Sequence, residues 1–166
     1  MNRAGTMQVA TPTDREIVIT RVFDAPREMV FEAHTKPELL KRWLNGAPGW
    51  SLAVCEIDLR VGGAYRYVWR GPNGQDMGMG GTYREIVRPE RLVATQLFDE
   101  EWTGGEVLGT LVFIEREGRT TMTNTLVYSS CEMRDAVLKT PMDKGMANGY
   151  DQLEDLLVSM AARREA

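Results

Sequence analysis

The chain has 166 residues, 43% of them hydrophobic and 27% charged, which is the composition of a globular protein and excludes a disordered one. Its formal net charge is -4 and its basic residues are scattered, which argues against nucleic-acid binding through phosphate neutralisation. No apolar run reaches the ~18 residues that a membrane span requires. The first residues, 1–13, are small and polar and lack the apolar run of a signal peptide. A disordered tail is expected over 1–14, ahead of a single domain over 15–164. Residues 16–23 are rich in β-branched and aromatic side chains and predict a strand. Asp24 and Pro26 are suited to capping and opening a short helix, whose apolar face holds Val30 and Phe31 with His34 beside them. Lys36-Pro37 breaks that helix and starts a second, with Leu39, Leu40, Trp43 and Leu44 as its buried stripe, and 45–50 is a loop.

Residues 51–128 read as strands throughout. After 51–59 and a Gly62-Gly63 turn, Tyr65, Tyr67 and Trp69 alternate with Arg66, Val68 and Arg70, a period of two. Pro72-Asn73-Gly74 signals a hairpin. Strands follow at 77–87, 92–98, 106–116 and 120–128, with a polar loop over 99–105 that contains Trp102. No helix intervenes, so the sheet is expected to be antiparallel. The end is helical. A short piece covers 134–138, and Pro141 opens a long helix whose apolar stripe is Met142, Met146, Tyr150, Leu153, Leu157 and Met160. The fold class is therefore α+β. A curved antiparallel sheet of about six to seven strands, with two short helices after its first strand, wraps one long C-terminal helix. A curved sheet cannot touch one cylinder everywhere, so an apolar cavity is expected between them.

Several segments also carry a family resemblance. They are the run from Phe23-Asp24-Ala25-Pro26 to Ala33, Pro37-Glu38-Leu39-Leu40-Lys41-Arg42-Trp43, Glu56-Ile57-Asp58-Leu59-Arg60-Val61-Gly62-Gly63, Gly81-Thr82-Tyr83-Arg84-Glu85-Ile86, Pro89-Glu90-Arg91-Leu92-Val93, Arg134-Asp135-Ala136, and Tyr150-Asp151-Gln152-Leu153. In that order they resemble the AHSA1 branch of the START-like (SRPBCC) superfamily. Its members are similar to the C-terminal domain of activators of the Hsp90 ATPase and to calicheamicin self-resistance proteins. The resemblance runs over about 16–160 and implies the helix-grip fold, as in START and Bet v 1-like proteins. It says less of function, because the superfamily spans lipid carriers, hormone receptors and cyclases. The full Hsp90 activator has an additional N-terminal domain, for which this chain has no room. His34 stands where relatives usually carry a large apolar residue, often Trp.

The chemistry-bearing residues are few. One His and two distant cysteines do not supply a zinc site, which needs four N or S ligands, and no metal or cofactor is expected. Cys55 and Cys131 read as reduced thiols of a cytoplasmic protein. Gly78-Met79-Gly80-Gly81 lies among strands with no helix after it, so it marks a bulge or bend rather than a phosphate loop. Nothing near His34 resembles a nucleophile elbow. His34 is either a buried neutral histidine or a cavity-edge acid, base or ligand contact. Tyr65, Tyr67 and Trp69 suit a pocket wall or plain core. If their strands face inward, Gln96 with Phe98, and Asn124 with Met122, put amides into an apolar chamber, where each needs a partner. Met146, Tyr150 and Leu153 would line it from the helix.

These candidates fit four functions. The favoured one is binding of an apolar or aromatic small molecule in the cavity. The alternatives are a protein-interaction module like the chaperone activator, a cyclase- or hydrolase-type enzyme using His34 or an inward Glu, and self-sacrificing resistance to a reactive natural product. Whether the protein is an enzyme is left open.

Overall fold

Strands in which buried side chains tend to alternate with more exposed ones build the sheet of this molecule. The computed structural model describes residues 7–100 and 105–165. In chain order its elements are β1 (Met7–Ala10), β2 (Glu16–Phe23), α1 (Arg27–Thr35), α2 (Pro37–Trp43), β3 (Ser51–Ile57), β4 (Ala64–Arg70), β5 (Asp76–Val87), β6 (Arg91–Phe98), β7 (Val107–Arg116), β8 (Arg119–Val127), α3 (Cys131–Leu138) and α4 (Met142–Glu165). The sheet has eight strands in the order β1-β2-β8-β7-β6-β5-β4-β3. Every pairing is antiparallel. The break in sequential order falls where β2 pairs with β8, so the chain's first long strand and its last lie side by side.

The α+β helix-grip architecture expected from the sequence is what forms, with one strand more than expected. The additional strand is β1, which pairs Met7 with Arg21 and Ala10 with Val18 at the sheet edge. It lies in the segment read as a disordered tail. Its four residues, Met-Gln-Val-Ala, are too few to show a hydrophobic alternation that announces a strand, and the exposed edge of β2 supplies the ladder. The remainder of that expected tail, 1–6, lies outside the described residues, as does Trp102. Two local readings also change. Pro26, in extended conformation, caps α1 with no side-chain hydrogen bond, and Asp24 instead pairs with Arg119 at 3.5 Å. The helix read over 134–138 starts earlier, because the Ser130 side chain accepts the Met133 amide as an N-cap.

The core joins the inner face of the sheet to α1, α2 and α4. Ile17, Ile19, Phe23, Phe113, Met122, Leu153 and Leu157 are almost wholly buried within it. Phe23 meets Tyr150 edge-on at 5.9 Å, which ties β2 to α4. At Gly81 the strands approach so closely that a Cβ would overlap the carbonyl oxygen of Thr95. A register shift between Tyr83 and Glu85 follows on the same strand. The glycine therefore permits close contact between β5 and β6, and the bulge lies just beyond it.

Candidate functional site

The space between sheet and α4 is a cavity of about 580 Å³. Its existence is local in origin. Over its N-terminal half α4 lines the chamber with Met142, Met146 and Tyr150 and with Gly145 and Gly149, so at two positions on these turns no side chain narrows it. Two helical glycines cost about 1 kcal/mol each relative to alanine, so helix stability is forgone where the space is left open. One turn further on, Leu153 and Leu157 are fully buried and close the gap between helix and sheet. The exposed lining residues Gly46, Ala47, Met77 and Gly145 mark the entrance, between the loop after α2, the β4–β5 hairpin and the start of α4.

Of the residues singled out from the sequence, His34, Tyr65, Tyr67, Trp69, Gln96, Phe98, Asn124, Met146 and Tyr150 all line this cavity. Met122 and Leu153 do not. Both lie in the closed part of the core with no exposed surface. They share the right face of β8 and α4, but sit beyond the end of the chamber. Sequence reasoning also missed wall residues. Trp43 and Tyr83 were read as elements of a helix stripe and a strand, and Leu111 and Val107 of β7 were not singled out. Tyr83 could have been found, since it shares a face with Gly81 and Met79 by simple alternation.

The wall is aromatic, and three of its polar edges are used on backbone carbonyls. Trp43 Nε1 donates to the Ala33 carbonyl at 2.9 Å, and Trp69 Nε1 donates to the Leu44 carbonyl at 2.9 Å. The Tyr65 hydroxyl donates to the Thr95 carbonyl at 2.5 Å. Tyr65, Tyr67 and Tyr83 form a cluster with ring centroids 5.0 and 5.5 Å from Tyr65. Burial pushes all three phenols up, so they are neutral at physiological pH. The Asn124 amide, expected to need a partner, has one in the Tyr150 hydroxyl, whose pKa burial raises to about 12. Gln96 Nε2 lies over the bare Cα of Gly109, where a Cβ would come within 2.8 Å.

His34 differs from these groups. Its Nδ1 is 2.8 Å from the Val30 carbonyl, which can only accept, so the proton sits on Nδ1 and Nε2 bears a lone pair. The ring packs against Trp43 at 5.0 Å and Phe113 at 5.4 Å. Burial lowers its pKa to about 4, against a partial counter-effect from the Val30 hydrogen bond. Nε2 has no partner. A neutral imidazole with so low a pKa is a poor general base and cannot act as a general acid near neutrality.

Among the described residues no Asp, Glu, Lys or Arg lines the chamber. Among the described residues no group of three or more His, Cys, Asp or Glu is placed to hold a metal ion. Both thiols are free, with Cys55 buried and its pKa raised by desolvation to about 11. No described helix is long and apolar enough to cross a membrane. The charged group that the sequence reading overlooked lies behind the wall. Arg21 of β2 is buried and pairs with Asp151 of α4 at 2.8 Å. Glu154, one turn along, has its carboxyl pushed up by desolvation and accepts the Asp24 amide at 3.3 Å.

The model of one protein family, "Activator of Hsp90 ATPase homolog 1-like protein" (AHSA1), matches residues 24–158. The chain belongs to this family. A crystal structure from Rhodobacter sphaeroides is 33% identical, with a TM-score of 0.88 over 92% of this chain and 98% of that one. A protein from Nitrosomonas europaea shares the fold at 23% identity and a TM-score of 0.80, over 92% of this AHSA1 chain and 99% of its own. A Plasmodium falciparum protein described as an HSP90 activator is 25% identical, with a TM-score of 0.53 over 69% of this chain and 73% of that one. No curated protein shows significant similarity to the sequence.

Proposed function

We propose that this AHSA1 protein binds a neutral apolar or aromatic small molecule in the chamber between its sheet and α4. The observation that carries this reading is a cavity of about 580 Å³ walled mainly by aromatic and aliphatic side chains, with no charged residue among the described lining residues. That volume lies within the range of about 300–1,000 Å³ typical of small-molecule sites. A charged ligand would lose its hydration there without a counter-ion.

The test is titration with the neutral fluorophore N-phenyl-1-naphthylamine, read by energy transfer from the three tryptophans of the wall, Trp43, Trp50 and Trp69. Saturable transfer and a rise in Tm are expected. Both should vanish in Ala94→Phe, which places a ring in the chamber, while the far-UV circular dichroism is retained. Unchanged binding by that variant would move the site elsewhere.

The family description and the Plasmodium neighbour favour a second reading, contact with the Hsp90 chaperone. Measurement of Hsp90 ATPase rate with and without this protein decides it, and an unaltered rate rejects it.

A further inference from the structure

The chamber has two unlike walls. Among the described lining residues, the side-chain polar groups without a hydrogen bond are the hydroxyls of Tyr67, Tyr83 and Tyr128, the Gln96 amide, the Trp50 indole N–H and His34 Nε2. His34 Nε2 is enclosed, and Trp50 belongs to the loop before β3. The other groups stand on the sheet, with Tyr67 on β4, Tyr83 on β5, Gln96 on β6 and Tyr128 directly after β8. The helix wall offers Leu40, Met142 and Met146, and its polar edges are already engaged, the Trp43 indole by the Ala33 carbonyl and the Tyr150 hydroxyl by Asn124. Two of the sheet hydroxyls are presented by a third ring. Tyr65 faces Gly81 in the ladder, and its own hydroxyl reaches past that glycine to the Thr95 carbonyl on β6. The Tyr65 ring is thereby held, and Tyr67 and Tyr83 lean on it at 5.0 and 5.5 Å between centroids. Neither of their hydroxyls is among the enclosed unpartnered atoms, so each keeps accessible surface. Tyr83 is only 4% exposed and lines the cavity, so the surface that its hydroxyl keeps is surface of the chamber. Each phenol can both donate and accept. Water meets such groups in a chamber without ligand, and a ligand that displaces this water without replacing its hydrogen bonds loses affinity.

We propose that the ligand is a neutral ring compound with oxygen functions along one edge, whose hydroxyl or carbonyl groups lie on the sheet wall and hydrogen-bond Tyr67 and Tyr83, while its hydrocarbon face packs against α2 and α4. This inference rests on the ligand-binding reading above and adds the polarity of the ligand and its orientation. The oxygen functions must be uncharged, since no described lining residue supplies a counter-ion. A pure hydrocarbon leaves both phenols unmet.

The test is a cycle of two probes of one shape, 2,7-dihydroxynaphthalene and 2,7-dimethylnaphthalene, against wild type, Tyr67→Phe, Tyr83→Phe and the double variant. Both probes are uncharged at about pH 7, and affinity is read by displacement of N-phenyl-1-naphthylamine. The diol is expected to lose about five-fold in affinity with each substitution, the effect of one neutral hydrogen bond, and more in the double variant. The dimethyl compound, which makes no hydrogen bond, should bind all four proteins within about two-fold. The Tm of each unliganded variant should stay within about 2 °C of the wild type, because neither hydroxyl is bonded within the fold. Diol affinity unchanged in the double variant, an equal loss for both probes, or a clearly lower Tm of the unliganded variants each overturn the assignment of the two phenols and leave the cavity reading standing. Failure of the diol to displace a fluorophore that does bind the chamber has the same meaning. Absence of fluorophore binding overturns both.

Discussion

The burial of His34 makes the protein acid-labile in a defined window. Folded His34 takes a proton only near pH 4, and the unfolded chain does so near 6.5. Between those values the unfolded state binds more protons, so acidification favours it. The contribution is intact above pH 6.5 and is lost as pH falls toward 4. Integrating the two titrations gives a loss of about 2 kcal/mol at pH 5 and about 3 kcal/mol by pH 4. For a chain of this size, 2 kcal/mol is about 4–8 °C in Tm. Other groups titrate in or near this range. The raised carboxyl of Glu154 acts in the opposite sense, since its protonation favours the folded state. Asp99 and Asp135, held low by Arg66 and Arg134, lose their contributions at lower pH. The assay is therefore a comparison. Thermal melts of wild type and His34→Phe are recorded from pH 7.5 to 4.5, and the variant is expected to lose about 4–8 °C less than wild type between pH 7 and pH 5. The ring borders open space, so phenylalanine has room. Parallel curves would refute the argument, because they would mean that the imidazole is hydrated or already partnered in the folded state.

Three further outcomes are expected. Gly81→Ala drives a Cβ into the Thr95 carbonyl, which also accepts the Tyr65 hydroxyl, and should cost about 2–3 kcal/mol in urea unfolding. Gly145→Ala, with nothing within 4 Å of the new methyl group, should stabilise α4 by about 0.5–1 kcal/mol in the same assay. The Arg21–Asp151 pair should respond asymmetrically. Asp151→Ala leaves a buried guanidinium without its ion-pair partner at about 3 kcal/mol, and Arg21→Met, which leaves only an exposed carboxylate, should cost clearly less by chemical denaturation.

Much of the candidate site was legible because strands and helices repeat. The inward set Tyr65, Tyr67 and Trp69 follows from a period of two, and Met146 and Tyr150 follow from the apolar stripe of α4. The same periodicity misled for Met122 and Leu153, because it reports which face a residue occupies and says nothing about where along that face the helix stands off. Arg21 carried a signal that went unread. It continues the buried series Ile17, Ile19 on β2, where a charge requires a partner, and Asp151 lies 130 residues on in sequence.

Local sequence determined the elements, the apolar faces and the resemblance to the AHSA1 family, since each depends on neighbours a few residues apart. Tertiary structure alone decided the rest. It set β1 on the edge of β2, fixed the extent of the chamber through Gly145, Gly149 and the closing pair Leu153 and Leu157, and left one nitrogen of His34 without a partner. Whether a polar atom is satisfied depends on every group that surrounds it in space, and those groups come from α1, α2 and β7, which the sequence separates and only folding assembles.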